Sequence, residues 1–593
     1  MSMKRAGGLV VLTFLGFLLP AWGVEAGSEA DLLFSDLYRD SAGPVALFSP
    51  PRKPDGVARA LEILLAGRTL PIPCASPILQ DLRRHRELLG DSAREILRFM
   101  SLRPAIEQDG VRSTRDGRFS IHYTLDPLSS NALPAADRDF NGVPDVVDQV
   151  ESALERSLEK ISERLGYPAP SSDNRGQRYD VYLLNLGGGR QGFTVSDRDT
   201  PSTPREDSFS HMVLDTRMDA DALASAVAHQ VAHASLLGLS ARAPSWWEEA
   251  TAGWLEIQVT GNPSPHREAL ARRLEHLGSS LATDSLALSL GNSLWASFLA
   301  DRRDGRGEEI RQIWLETSLR GGEPLLALMD EVLRRTDHGT LAEAFRDFSR
   351  WSLFTGPRDD GDHFRLGALF PPLTPRVTHT GFPSESAGTE SVDPLGAAVF
   401  RFAGDGSRGG LKIRFDAETP AAVEVDLVIQ PAGEPRPHLV ELELDDRGHG
   451  EAGIPWRGIR EAFLIVRNPG WEGAPVRFHY SGQIDPRYPF DLASFGALPS
   501  TGGITLQWAT ASEVDVLGWN VYRSTEPGGP FLRVNPLLLP TGSDSLEETD
   551  YLYLDSSVQS GRRYYYLVEA VTLMGLPERS LVLSTRASEG SHR

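Results

Sequence analysis

Cysteine is nearly missing. Cys74 stands alone among 593 residues, so no internal disulfide can form and stability must come from burial or from bound metals. Long apolar runs are scarce too. The run from Gly7 to Leu19 follows Lys4 and Arg5 and leads to small residues near Gly23 and Ala26, the layout of a secretory signal peptide over 1–26. It is too short to cross a membrane comfortably, and no later segment approaches about 20 continuous apolar residues. The mature protein is therefore expected to be secreted or otherwise extracytoplasmic, with no membrane span. No Cys near the cleavage point offers a lipid anchor. Positive charge is also in deficit, 60 Lys and Arg against 81 Asp and Glu, and a net charge of −21 argues against nucleic acid or an anionic membrane as partner. A phosphate loop is missing as well, since no Lys-Ser/Thr follows Gly187-Gly188-Gly189.

What is present centres on residues 219 to 256. His229 and His233 are four apart, one helical turn, so both imidazoles can reach one metal ion. Asp219 and Asp221 suit a helix N-terminus, and Leu223, Val227 and Val231 form an apolar stripe nearly opposite the histidines. A catalytic zinc needs three protein ligands and an open position. The third is expected in Ser245-Trp246-Trp247-Glu248-Glu249. There Ser245-x-x-Glu248 reads as a capping box that assigns Glu248 to the helix end and leaves Glu249 free. Ala252 and Gly253 on the same face admit another helix closely.

These two segments resemble the gluzincin arrangement, H-E-x-x-H followed by a helix carrying W-x-x-E-[GA]-x-A. Within it the chain is similar to a family of predicted secreted bacterial zinc metalloproteases. The resemblance implies zinc on His229, His233 and Glu249, and a cleft edge formed by the strand before the metal helix, at His211, Val213 and Asp215. One position departs from the pattern. The motif's Glu is Gln230 here, the degenerate general-base position. In that chemistry the Glu takes a proton from the attacking water and passes it to the leaving amine; a neutral amide can orient water but cannot hold its proton. A positioned base is typically worth ~10²–10⁴ in rate, so this change alone can silence an enzyme.

Upstream, Asp137, Asp139, Asn141, Asp145 and Asp148 fall at positions 1, 3, 5, 9 and 12 of an EF-hand-like loop. Gly142 takes the turn position and the Val143 carbonyl position 7. Without metal, the same run reads as an acidic turn capping the helix expected over Val146 to Leu165. The run also resembles the calcium-type loop of the same protease family, which implies calcium.

The whole chain reads as multidomain: an α+β zincin-like metalloprotease domain followed by two antiparallel β-sandwich domains. The expected boundaries are the signal peptide at 1–26, a helical leader at 27–115, the metallopeptidase-like domain at 116–373, and a linker at 374–392. The sandwiches take 393–485 and 486–593. The leader, with helical periodicity at Ala58 to Ala66 and Ile78 to Met100, reads equally as a removable prosegment or as a permanent extension. Strands are expected at Arg118 to Thr124, which carries a structural His122, at Arg178 to Asn185, and at His211 to Asp215. Helices are expected at His266 to Leu277, Ser289 to Arg302, Glu308 to Leu319, Leu325 to Arg335 and Leu341 to Trp351. Trp295, Phe298, Trp314 and Phe348 are their core anchors. The last domain looks like fibronectin type III, with Trp508 and Tyr566 as core aromatics.

Three functions fit the sequence. The first is a secreted zinc metallopeptidase-like protein with impaired hydrolysis. The second is an active endopeptidase in which Glu248 or Glu256 replaces the missing base. The third is a non-enzymatic extracellular scaffold working through its sandwiches. The partner expected is an extracellular protein or peptide, or a cell-surface glycan.

Overall fold

The computed structural model describes residues 74–84, 102–104, 110–171, 178–186, 191–199 and 207–588, the last span without 284, 337–338, 387–388, 405–409, 434–435, 457–458, 486–490, 501, 514–515, 542–548 and 573–576. The signal peptide, the 58–66 helix, most of the 78–100 helix and the Gly187–Gly189 loop lie outside these residues. The chain divides into two compact units, residues up to Leu274 with Leu281–Leu373, and Glu275–Ser280 with Thr374–Arg593.

The first unit is built on a mixed five-stranded sheet in the order β1-β2-β3-β5-β4. Its strands are β1 (Gly110–Ser113), β2 (Phe119–Tyr123), β3 (Tyr179–Leu184), β4 (Gly192–Asp199) and β5 (Ser208–Asp215). β2, β3 and β5 run parallel, whereas β1 and β4 close the two sides antiparallel. Two corrections follow. The sheet begins at Gly110, inside the segment expected to be helical leader, because β1 pairs with β2 from Gly110↔Tyr123 to Ser113↔Ser120. And β5 is an inner strand, bonded on one side to β3 and on the other to β4. His211, Val213 and Asp215 are therefore buried and form no cleft edge; β4 is the edge.

Four helices position the site: α1 (Ser76–Arg84), α2 (Asp145–Leu158), α3 (Ala220–Leu237) and α4 (Ser245–Thr260). α2 continues as a wider π-type turn over Glu159–Arg164. Asp219 caps α3, its carboxylate accepting from the Ala222 N–H at 2.9 Å. Beyond its first turn α3 is buried almost all round, not only along its Leu223, Val227, Val231 stripe. At Gly253 on α4 an added Cβ would stand 3.0 Å from both Leu290 Cδ1 and Ser293 Cβ, so the close approach expected there is real. The remaining helices include Arg267–Glu275, Ser293–Asp301, Glu308–Leu319, Leu325–Arg335 and Leu341–Trp351. Their anchors Trp295, Phe298, Trp314 and Phe348 are fully buried. Among the described residues no helix is long and apolar enough to cross a membrane.

Among the described residues the second unit holds four sheets in two face-to-face pairs. One pair surrounds a core that includes Phe400, Phe402, Leu427, Leu464 and Tyr480. The other surrounds Trp508, Trp519, Tyr566 and Val568, with the two expected core aromatics at its centre. The 374–392 segment is not a linker. Val377–His379 joins Gly396–Ala403 as a parallel edge strand, while Ser384–Glu385 and Glu390–Val392 both pair with Val476–Asp485. Its Pro, Ser and Thr mark turns between short edge strands, whose outward faces need no apolar residues.

Candidate metal centre

α3 and α4 pack against each other and bring the candidate ligands together. His229 and His233 project from one face of α3, and Glu249 and Glu256, two turns apart, face them from α4. His233 Nε2 lies 3.1 Å from His229 Nε2 and 2.9 Å from Glu249 Oε1, and His229 Nε2 is 3.7 Å from the same oxygen. The other ring nitrogens are engaged as well. His233 Nδ1 is 2.8 Å from Glu248 Oε1, and His229 Nδ1 is 3.0 Å from Glu256 Oε2. Carboxylates can only accept there, so each Nδ1 carries the proton it donates.

That assignment turns the Nε2 atoms toward each other. Two N–H groups cannot face at 3.1 Å, so at least one Nε2 directs a lone pair inward. Glu249 Oε1, in a residue 4% exposed, faces both Nε2 atoms, the nearer at 2.9 Å. The two Nε2 atoms and Glu249 Oε1 thus converge on one buried point.

The charges agree. Burial opposes charge on both histidines, but the sulfur of Cys74 and the surrounding carboxylates outweigh it and hold both well above the ordinary imidazole value. Burial opposes ionisation of Glu249 too, yet the two histidines keep it far below the carboxylate range. For Glu256 burial is overcome by His266 and His229, bringing it to about 2. The carboxylates and the Cys74 sulfur thus favour positive charge on the imidazole pair, one proton lying between the two Nε2 atoms.

Two residues depart from their expected roles. Glu248 does not cap α4: Pro244 is the N-cap, no side chain closes that end, and the Glu248 carboxylate turns to His233. Glu256 accepts from Ser225 Oγ and His229 Nδ1, with His266 Nε2 at 2.6 Å. Both are orienting carboxylates of the kind that fix the tautomer of a metal-binding imidazole.

Sequence reasoning missed the leader's contribution. Cys74 Sγ lies 3.4 Å from His233 Nε2, and Cys74, His229, His233 and Glu249 form one group of donor atoms within 4.8 Å of one another. Only spatial closure could have found it, because 159 residues separate Cys74 from His233. Gln230 lies beside this group, one residue after His229 on α3. Its amide donates to Cys74 Sγ at 3.3 Å and accepts from Ser76 Oγ at 3.2 Å and Thr194 Oγ1 at 2.9 Å. His211 packs edge-on against Tyr182 and lies outside the cluster. His122 stacks on Tyr182 at 4.6 Å with Nε2 2.8 Å from Asp180 Oδ1, and it too is outside the cluster.

Among the described residues His229, Glu256 and His266 form a second such group, and the acidic loop gathers Asp137, Asp139 and Asp145 into a third. Asp137 accepts from the backbone N–H of Asn141 at 3.1 Å and of Gly142 at 2.9 Å. Asn141 Nδ2 ties Asp139 to Asp148, at 3.0 and 2.9 Å. Gly142 has φ 84°, the left-handed geometry the turn position demands. Asp145 opens α2 with Pro144 as its N-cap, so this oxygen-rich loop and the helix start are one feature.

No family model matches the chain. It is 38% identical over 69 residues to an amylopullulanase from Thermoanaerobacter thermohydrosulfuricus, covering 12% of this chain and 4% of that protein's length. Among solved structures, a Fn3-like protein from Clostridium thermocellum aligns with 17% of this chain and 93% of its own, at 25% identity and TM-score 0.12. The adhesin domain of Epf from Streptococcus pyogenes aligns with 35% of this chain and 78% of its own, at 11% identity and TM-score 0.13.

Proposed function

We propose that this is a secreted zinc metallopeptidase-like protein whose zincin-like domain binds one zinc through His229, His233 and Glu249 and hydrolyses peptides poorly or not at all. The observation that carries the reading is the convergence of His229 Nε2, His233 Nε2 and Glu249 Oε1, with each Nδ1 anchored on its own carboxylate. Two imidazoles and one carboxylate are a donor set that zinc takes in hydrolytic enzymes. A zinc ion held there would supply Lewis-acid polarisation of water or of a peptide carbonyl. Gln230 beside it can donate and accept hydrogen bonds but has no site that gains a proton at neutral pH. An active enzyme with a substitute base is disfavoured, because the carboxylates of Glu248 and Glu256 are spent on orienting the histidines.

In this reading the 137–148 loop holds calcium through hard oxygen ligands next to the helix that packs on α3. The C-terminal 486–593 sandwich is fibronectin type III-like and serves spacing or attachment to an extracellular protein, peptide or cell-surface glycan. Metal analysis of the purified chain after mild dialysis tests the core claim. About one zinc per chain is expected, falling away in His233→Ala. Equal zinc in both proteins would overturn the ligand assignment, and strong chelator-sensitive peptide cleavage by the natural protein would overturn the impairment.

A further inference from the structure

We propose that Cys74 is the fourth ligand of this metal site, that residues 74–76 thereby close it against substrate, and that Gln230 is the positioning residue that holds the sulfur in place. The inference rests on the zinc reading above and goes beyond it, because it turns an open catalytic site into a closed Cys-His-His-Glu site.

The first ground is geometry. Zinc bonds of about 2.0–2.1 Å to nitrogen or oxygen and about 2.3 Å to sulfur give tetrahedral edges of roughly 3.3 Å between light donors and roughly 3.6 Å to sulfur. The donor separations here are 2.9, 3.1 and 3.7 Å among the histidines and Glu249, and 3.4 Å from Cys74 Sγ to His233 Nε2. These four separations are close to tetrahedral edges, and all four donor atoms lie within 4.8 Å of one another. All four residues are buried, Cys74 at 3% exposure.

The second ground is how the leader reaches the site. Cys74 forms a parallel bridge with Gly192 at the start of the edge strand β4, and the Ala75 N–H points to the Gly192 carbonyl at 3.4 Å. The Thr194 N–H donates to Ser76 Oγ at 2.8 Å. α1 then carries the buried Leu79 and Gln80, and the Arg83 guanidinium donates to the Ser196 carbonyl. The segment lies along the free edge of the sheet, where an extended peptide would add as a strand.

The third ground is Gln230 itself. Its Nε2 donates to Cys74 Sγ while its Oε1 accepts from Ser76 and Thr194. A glutamate at this position would have no proton to give the sulfur and would set a second carboxylate beside a thiolate and Glu249. A glutamine is neutral and offers a donor on one side and an acceptor on the other. Cys74 Sγ also lies 3.2 Å from Ser76 Oγ, and the residue that looks like a failed base is thus matched to an accepting sulfur.

Zinc X-ray absorption on the full-length natural protein tests this directly. One sulfur at about 2.3 Å is expected beside the nitrogen and oxygen ligands. In the cobalt-exchanged protein a sulfur-to-cobalt charge-transfer band should appear, and it should vanish in Cys74→Ala while about one metal per chain remains on the other three ligands. Metal bound without sulfur in its shell would overturn the closure and leave the zinc reading standing; no metal in the natural protein would overturn both. The natural protein's own spectrum decides the point even where Cys74→Ala fails to fold. For Gln230, the Gln230→Glu protein should keep its metal content but show a weakened or shifted sulfur-to-cobalt band. An unchanged spectrum would remove Gln230 from the assignment.

Discussion

Glu248 Oε1 sits 2.8 Å from His233 Nδ1, so a residue with the spacing of a helix-capping glutamate serves an imidazole on the neighbouring helix instead. The choice is physical. The Trp247 and Glu248 amides of α4 donate to the Pro244 carbonyl at 3.0 and 3.1 Å, while the fully buried His233 ring needs an acceptor for its N–H. Replacing Glu248 by Gln should preserve the fold but remove the charge that strengthens His233 as a ligand. Zinc affinity is expected to fall about 10- to 100-fold, the usual cost of losing such an orienting partner. Competition with a chromophoric chelator measures it, and an unchanged affinity would show that the contact only fills space.

Calcium should stabilise the first unit through Asp137, Asp139, Asn141, the Val143 carbonyl, Asp145 and Asp148. Three of these carboxylates already converge, and like charges gathered without a cation repel. Calcium at ~100 times its Kd would add about 2.7 kcal/mol by mass action. Thermal melts with calcium and with chelator should differ for the natural protein and coincide for the double variant Asp137→Ala/Asp139→Ala. A natural protein indifferent to calcium would count against the loop.

Asp301 offers a pH test away from the metal. Burial pushes its carboxyl up to about 6, although the Arg365 N–H and guanidinium pull the other way. The folded state therefore keeps a proton that the unfolded chain releases near 3.8. Its contribution to stability is complete below 3.8 and is lost as pH rises through about 6. In Asp301→Asn that loss should disappear, since an amide oxygen can still accept from the Arg365 N–H, now 3.0 Å from the carboxylate. Melting temperatures of the two proteins should draw apart in the variant's favour as pH rises across that window. Parallel curves would contradict the shift.

How far the sequence carried depended on whether a feature is local. Glu308–Leu319, Leu325–Arg335 and Leu341–Trp351 match their expected limits because a three-and-four apolar repeat is written into each stretch. The one-turn spacing of His229 and His233 was equally legible, whereas Glu249 was reached through a capping box at Ser245 and Glu248 that the structure does not form. β4 was not, because Gly192-Phe193-Thr194-Val195-Ser196 alternates for only a few residues before turning polar. The edge strands at 377–392 failed for the same reason. Cys74 lay furthest from view: its meaning arises only when Gly192, Gln230 and His233 fold around it.

The last prediction joins Gln230 to Cys74. If a neutral amide were the sole defect, Gln230→Glu alone would restore peptide hydrolysis. With sulfur in the fourth position, that variant should remain nearly silent, because no water can take the place the thiolate holds. Cys74→Ala alone opens the site but leaves it without a base. Only Gln230→Glu combined with Cys74→Ala supplies both, and its cleavage of a peptide library should exceed that of Cys74→Ala by ~10²-fold or more, as a positioned base contributes. Chelation of zinc should abolish the gain. Full activity in Gln230→Glu alone would show that Cys74 does not block the site. Inactivity of the double variant with zinc bound would mean that the cleft has lost more than its base, and the protein would then be better described as a zinc-stabilised extracellular scaffold.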